Sequence, residues 1–109
     1  MSIRSIADLN DAFRSGQPDV PGKVLMTQGI SALPQNEIQA IFAKVQQFDE
    51  FTPDNDPYGE HDFGSLFHNE EKIFFKIDYY DPTLTFLSED AADITKTVRV
   101  MTVMLASEY

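Results

Sequence analysis

His61 is the residue best placed for chemistry, because acidic side chains surround it. It stands between Glu60 and Asp62, and a predicted β-hairpin brings Asp78 and Asp81 towards it. An imidazole beside carboxylates can bind a metal ion or act as an acid–base pair. One candidate active site, that of a small hydrolase or metal-dependent enzyme, therefore consists of His61, Asp62, Asp78 and Asp81.

Other features of the sequence argue against a metal ion or a cofactor. The chain contains two histidines and no cysteine, which disfavours multi-histidine and thiolate metal sites. The motif Asp54-x-Asp56-x-x-Gly59 resembles the start of a calcium loop, but Tyr58 and Ser65 occupy its fifth and twelfth positions, where ligands are required. We predict no cofactor; a looser cation site on the carboxylates of this loop is the alternative.

Acidic residues are concentrated in two segments. Of 18 acidic residues, against 8 basic ones, eleven lie within residues 49–62 and 78–93, which contain no Lys or Arg. We call these stretches the first and second acidic segments. Concentrated like charge costs folding free energy and suggests a function, although turns favour Asp for backbone reasons as well. The predicted partner-binding residues are Asp49, Glu50, Asp54, Asp56, Glu60, Asp62, Asp78, Asp81, Glu89, Asp90 and Asp93.

The overall charge restricts the class of partner. A net charge of −10 argues against direct binding to nucleic acid or to an anionic membrane, since both need a cationic surface. It favours a partner whose own surface is basic. The absence of cysteine, of a signal peptide and of a run of about 20 apolar residues predicts a cytoplasmic protein that does not enter the membrane.

Hydrophobic spacing predicts the elements of the first half of the chain. A helix is expected over Ser2–Ser15, where Ile3, Ile6, Leu9 and Phe13 recur at helical spacing. A strand is expected over Lys23–Ile30. A second helix begins at Pro34 and stops before Thr52-Pro53, because proline cannot continue it.

A β-hairpin over about residues 61–80 is predicted to join the two acidic segments. Its strands are Asp62–His68 and Ile73–Tyr80, with a four-residue connection. This register places Phe67 opposite Phe74, Asp62 opposite Tyr79 and Glu60 opposite Asp81. Both acidic segments should then meet at the open end of the hairpin as one negative patch. The predicted core face carries Leu66, Ile73, Phe75 and Ile77.

The final segment, Ile94–Tyr109, fits two patterns. Val98, Met101 and Leu105 have helical spacing, and Asp93 is a suitable N-cap. Its β-branched content favours a strand, but 16 residues is long for one, so we predict a helix. The expected fold is α+β: a small antiparallel sheet with two or three helices on one face, in a single domain spanning residues 1–109.

Three non-repetitive stretches carry a family resemblance: Phe51–Gly64, Lys76–Asp81 and Met104–Tyr109. Together they resemble the bacterial family called domain of unknown function 3768, approximately over residues 33–109. Phe75 departs from the family pattern, in which we expect Trp. The resemblance implies no established activity, but it does imply an alphaproteobacterial protein, often carried on plasmids beside antirestriction-type genes.

These observations lead to three hypotheses. The first is a non-catalytic binding protein from a mobile element, of the antirestriction or anti-CRISPR type, whose acidic patch mimics nucleic acid and binds a basic surface on a host defence complex. The second is the small enzyme built on His61. The third is a structural or oligomer-forming subunit, in which the outer aromatic residues are buried at a symmetric interface; these residues are Phe63, Phe67, Phe74 and Tyr80.

Overall fold

The fold is a four-stranded mixed sheet with its helices packed on one face. A computed structural model describes residues 4–109. In chain order the elements are α1 (Ile6–Arg14), β1 (Gly22–Met26), α2 (Gln28–Ser31), α3 (Gln35–Gln47), β2 (Phe63–His68), β3 (Glu71–Tyr80), β4 (Val98–Leu105) and a 3₁₀ turn (Ala106–Glu108). The strand order is β1-β4-β3-β2. The predicted α+β class is confirmed, but the sheet is not purely antiparallel, because β1 runs parallel to β4.

Strands β2 and β3 form the predicted hairpin, but the turn between them is shorter than predicted. His68 pairs with Glu71 and Phe67 with Lys72, so only Asn69 and Glu70 make the connection. Both turn residues have positive φ, 50° and 69°, which is the backbone of a type I′ turn. The predicted four-residue connection and its register are therefore wrong by two residues.

This two-residue shift preserves the faces of the hairpin, because side chains alternate with a period of two. The predicted core face is found: Ile73, Phe75 and Ile77 are buried, and Leu66 is half-buried against them. The pairing of Asp62 with Tyr79 is wrong, since the Asp62 carbonyl accepts a hydrogen bond from the Ile77 N–H (2.8 Å).

The C-terminal segment is a strand, which corrects the predicted helix over Ile94–Tyr109. β4 lies at the centre of the sheet, paired with β1 on one side and with β3 on the other. Alternate residues of β4 point into the core, and Arg99, Met101 and Val103 are all buried. The β-branched residues suit this position, and two neighbouring strands satisfy the backbone. Asp93 caps a turn instead of a helix, accepting from the Thr95 N–H (2.9 Å).

The two longer helices form close to where they were predicted. Ser5 begins α1 with a capping box to Asp8, which satisfies two free backbone N–H groups; Ser2 and Ile3 of the predicted helix lie outside the described residues. The predicted strand over Lys23–Ile30 is too long, because it ends at Met26 and α2 follows. No helix in the described part of the chain is long and apolar enough to cross a membrane.

The core lies between the sheet and the pair α1 and α3. Phe75 of β3 is fully buried, with its ring in edge contact with Phe48 at a centroid distance of 5.3 Å. Side chains from both helices complete this layer. The buried apolar residues that contact one another are Leu9, Ala12, Phe13, Val20, Ile30, Ile41, Val45, Ile73, Phe75, Ile77, Met101 and Val103.

No helix of the described chain covers the opposite face, where aromatic side chains pack on one another. Phe63, Phe74 and Tyr109 have ring centroids 5.0–5.8 Å apart. Glu108 fixes the end of the chain by accepting hydrogen bonds from the Thr27 hydroxyl (2.6 Å) and the Gly29 N–H (2.9 Å). The outer aromatic residues are thus partly covered by the protein's own C-terminus, whereas Phe67 is 63% exposed.

Gly64 is the position in the hairpin where a side chain would do most damage. A Cβ atom there would collide with the Phe75 ring and lie 3.0 Å from the Phe48 ring, and the fully buried Phe75 ring has no room to move. Gly64→Ala should lower the free energy of unfolding by about 1–3 kcal/mol. Urea denaturation would measure the change, with Ser65→Ala on the exposed face as the control. Equal stability of Gly64→Ala and the control would contradict this packing.

Candidate functional site

The two acidic segments approach each other at one end of the sheet. β2 begins at Phe63, β3 ends at Tyr80, and Tyr80 pairs with Val98 at the start of β4. The first acidic segment therefore leads into β2 at the same end of the sheet at which the second acidic segment follows β3. We call this end of the sheet the open end. Its position follows from the hairpin and is unchanged by the two-residue shift in register.

Four carboxylates, Asp56, Glu60, Asp62 and Asp78, make up what we call the acidic cluster. Burial raises the pKa of the Asp62 carboxyl, and the charge of Glu60 raises it further, followed by the charges of Asp56 and Asp78. Each of these groups makes ionisation of Asp62 less favourable. The first segment contributes three members of the cluster and β3 contributes Asp78.

Glu60 is held against the sheet by neutral groups. The Tyr79 hydroxyl donates to Glu60 Oε1 (2.9 Å), and the Asn10 amide of α1 donates both to the Tyr79 hydroxyl (2.8 Å) and to the Glu60 carbonyl (2.9 Å). Burial raises the pKa of the Tyr79 hydroxyl well above its ordinary value, so Tyr79 stays a neutral donor. These bonds fix the position of Glu60 without cancelling its charge.

Arg99 is the buried cation that anchors this network. Its side chain is fully buried, with Nε donating to Asn10 Oδ1 (2.6 Å) and Nη2 to the Ala91 carbonyl (2.6 Å). The guanidinium carbon also lies 5.2 Å from the centroid of the Tyr79 ring, a cation–π distance. Burial lowers the pKa of Arg99. Within residues 4–109 it forms no ion pair with a carboxylate, so it positions the open end without neutralising it.

His61 lies in a different place from the predicted active site. Its Nδ1 is 2.9 Å from Asp11 Oδ1 and its Nε2 is 3.7 Å from Asp56 Oδ2. Its ring stacks on Phe51 at a centroid distance of 4.0 Å. The backbone has a positive φ of 59°, and the buried Asp56 carboxylate supports it by accepting from the His61 N–H (3.2 Å). The imidazole thus joins the first acidic segment to α1.

The four residues of the candidate active site do not converge on one point. Asp81 accepts from the Thr83 hydroxyl (2.8 Å) and from the Thr85 N–H (3.0 Å). His61 makes its side-chain contacts with Asp11 and Asp56. Across the described chain, no group of three or more His, Asp or Glu side chains is arranged to hold a metal ion.

The second acidic segment forms a loop that fixes its own carboxylates. Hydrogen bonds to Thr83 and to the Thr85 N–H lower the pKa of Asp81, and bonds to Thr95 lower the pKa of Asp93. Asp90 accepts from the Ala92 N–H (3.0 Å). Two acids of the segment have surface ion pairs, Asp78 with Lys76 (3.2 Å) and Glu89 with Lys96 (3.4 Å).

The remaining predicted residues lie apart from the acidic cluster. Asp49, Glu50 and Asp54 are exposed in the loop after α3. Apart from Lys76 and Lys96, two further basic residues make contacts away from the segments' carboxylates: Arg4 pairs with Asp19 (2.7 Å), and Arg99 contacts neutral groups. Lys23 has no ion pair within the described residues.

The structure also reveals functional candidates that sequence reasoning missed. Asn10 and Asp11 reach the first acidic segment across 50 residues of sequence, and no local pattern points to such a contact. Phe86 and Leu87 are 71% and 76% exposed within the second acidic segment. Their position in an acid-rich loop was the only available signal.

Comparison with known proteins gives one match. The family described as "Protein of unknown function (DUF3768)" matches residues 26–108, which is most of the chain. No curated protein and no solved structure matches this chain.

The opposite pKa shifts of Asp62 and Asp81 predict opposite effects of removing their charges. Ionised Asp62 destabilises the fold, and this penalty is complete above its raised folded pKa and absent below its unfolded pKa. Ionised Asp81 stabilises the fold above its unfolded pKa, and this contribution is lost as pH falls through its lowered folded pKa.

Asp62→Asn should therefore raise the melting temperature at neutral pH, while Asp81→Asn should lower it. The Asp62→Asn difference should vanish as the pH is lowered to 3.8, the ordinary pKa of Asp, whereas the Asp81→Asn difference should persist down to 3.8 and shrink only below it. Thermal unfolding followed by circular dichroism across this pH range would measure both variants. A lower melting temperature for Asp62→Asn at neutral pH would contradict the crowding of like charge.

Proposed function

We propose that this chain, which belongs to the DUF3768 family, is a binding protein whose carboxylates at the open end engage a basic protein surface. The specific form of the proposal is an anti-defence protein of a mobile element. In this form the partner is a host complex that acts on nucleic acid, and the acidic end occupies the groove where nucleic acid would bind.

The observation that carries this proposal is the uncompensated charge of Glu60 and Asp62 within the acidic cluster. Glu60 and Asp62 have no ion pair with Lys or Arg within residues 4–109, although Asp62 is half-buried beside other carboxylates. The position of Glu60 depends on neutral donors such as Tyr79. A Lys or Arg of a partner placed beside Asp62 would relieve this repulsion, so binding would recover free energy that folding has cost.

The arrangement of the second acidic segment supports nucleic-acid mimicry. A mimic needs carboxylates that are charged and fixed, because duplex DNA presents one phosphate charge per ~1.7 Å of its axis. Asp81, Asp90 and Asp93 are each fixed by hydrogen bonds within the loop. Such preorganised groups lose little conformational entropy on binding.

The exposed apolar residues of the same loop fit a protein partner better than a small ligand. Phe86 and Leu87 lie between Asp81 and Glu89, and the loop around them is tied to β3 by the Ser88 N–H donating to the Tyr79 carbonyl (3.0 Å). Aromatic anchors surrounded by polar residues are typical of protein interfaces.

Binding is favoured over catalysis by the positions of the titratable groups. A catalytic site needs its acid, base and substrate within hydrogen-bonding reach. His61 is engaged between Asp11 and Asp56, whereas Asp81 is engaged in its own turn. The family setting implied by the sequence resemblance, on plasmids beside antirestriction-type genes, supports the anti-defence form of the proposal.

A pull-down at two salt concentrations tests this function. The purified protein would be used to capture proteins from an alphaproteobacterial lysate, with the captured components identified by mass spectrometry. We expect a restriction or CRISPR component to be recovered at low salt and lost at moderate salt. The reason is that the Debye screening length falls to about 8 Å at 0.15 M ionic strength, which weakens attraction between charges. The triple variant Glu60→Gln, Asp62→Asn, Asp78→Asn should lose that component.

The matched control removes three negative charges elsewhere: Asp19→Asn, Glu70→Gln and Glu71→Gln. Glu70 and Glu71 lie at the closed end of the hairpin, and Asp19 precedes β1. The control should retain the captured component. Equal loss in both variants, or capture that does not respond to salt, would refute binding through the open end.

A further inference from the structure

No residue from 4 to 109 covers the edge of the sheet formed by β1. All five of its residues are exposed, including the apolar side chains of Val24 (48%), Leu25 (50%) and Met26 (44%). Adjacent side chains in a strand point to opposite faces, so this edge is apolar on both faces of the sheet. Exposed apolar edge strands are templates for pairing with another chain.

Within the described part of the chain, the backbone of β1 also has no partner on its outer side. The Pro21 carbonyl accepts from the Arg99 N–H (3.1 Å), and the Thr27 N–H donates to the Val103 carbonyl (3.1 Å). Backbone groups of alternate residues point the same way in a strand, so residues 21, 23, 25 and 27 face β4. The N–H and C=O groups of Gly22, Val24 and Met26 therefore face away from the sheet.

The opposite edge of the sheet is protected. Lys44 of α3 donates through Nζ to the Phe67 carbonyl of β2 (3.1 Å). The Asn69 side chain at the end of the same strand donates to Glu37 of α3 (2.6 Å). A covering helix and a lysine are two of the devices that keep edge strands from pairing. Among residues 4–109, no helix covers the free edge of β1.

The charge distribution indicates what can pair with β1. Residues 20–36 carry one charged side chain, Lys23, in a chain whose net charge is −10. β1 itself therefore presents no carboxylate to a second copy, and the nearby Glu108 carboxylate is engaged by the Thr27 hydroxyl and the Gly29 N–H. Repulsion between carboxylates keeps a second copy of this acidic chain away from the open end. The strand β1 carries no carboxylate and so does not repel it.

We infer that two copies of this chain pair through β1 in antiparallel fashion, forming one continuous eight-stranded sheet. If the two-fold axis passes through Val24, all five residues of β1 pair with the β1 strand of the second copy, and Gly22 pairs with Met26 of the partner subunit. Lys23 then lies opposite the partner's Leu25, so the two lysines do not oppose each other. Antiparallel pairing also sends the two open ends in opposite directions, which minimises repulsion between the acidic clusters.

Sedimentation equilibrium tests this dimer independently of any function at the open end. The wild-type protein should have twice the 12.3 kDa mass of one chain at high concentration and dissociate on dilution. Val24→Lys places two like charges directly opposite across the axis and should weaken dimerisation by about tenfold or more. Val24→Pro removes an outward N–H that β4 does not use, and should give a monomer.

Lys23→Gln is the matched control, because its backbone faces β4 and its side chain lies off the axis. It should remain dimeric, and circular dichroism should show that all variants are folded. A wild-type protein that is monomeric throughout the micromolar to millimolar range would overturn the inference. A dimer that both Val24 variants leave intact would also overturn it, since the interface would then lie elsewhere.

Discussion

The buried guanidinium of Arg99 is the interaction on which the open end depends. It joins β4 to α1 through Asn10 and to the β3–β4 loop through the Ala91 carbonyl. Asn10 in turn fixes Tyr79 and Glu60. Every hydrogen-bond acceptor of Arg99 is neutral, and burial of an unpaired cation is costly. The network therefore positions the acidic side chains of the open end through neutral hydrogen bonds, and their charge stays available to a partner.

The acids of this protein have two distinct physical roles. Asp8, Asp81 and Asp93 accept hydrogen bonds from capped backbone or hydroxyl groups, which lower their pKa values and make their charge stabilising. Asp62 has the opposite shift, because burial and neighbouring carboxylates disfavour its ionised form. A charge that weakens the fold, as that of Asp62 does, is better explained by binding than by stability, whereas the charges of Asp81 and Asp93 also have a structural role in their turns.

Sequence patterns predicted the features that depend on local periodicity. The apolar stripe of Ile38, Ile41 and Val45 predicted α3, and the alternation of apolar and polar residues predicted the correct core face of the hairpin. Features set by tertiary structure were missed. Glu70 adopts a left-handed backbone that non-glycine residues rarely favour, and β4 became a strand because it has partners on both sides. The meeting of the segments was foreseen, but the contact of His61 with Asp11, 50 residues away, was not.

The central claim is that folding crowds like charge around Asp62, and the side-chain pKa of Asp62 tests it directly. Carboxyl carbon chemical shifts, followed by NMR through a pH titration, would give that pKa in the wild type and in Glu60→Gln. We predict a wild-type value above the ordinary 3.8 of an aspartate and a lower value in the variant, because one neighbouring charge is gone. An Asp62 that titrates at or below the ordinary value, unchanged by Glu60→Gln, would contradict the account.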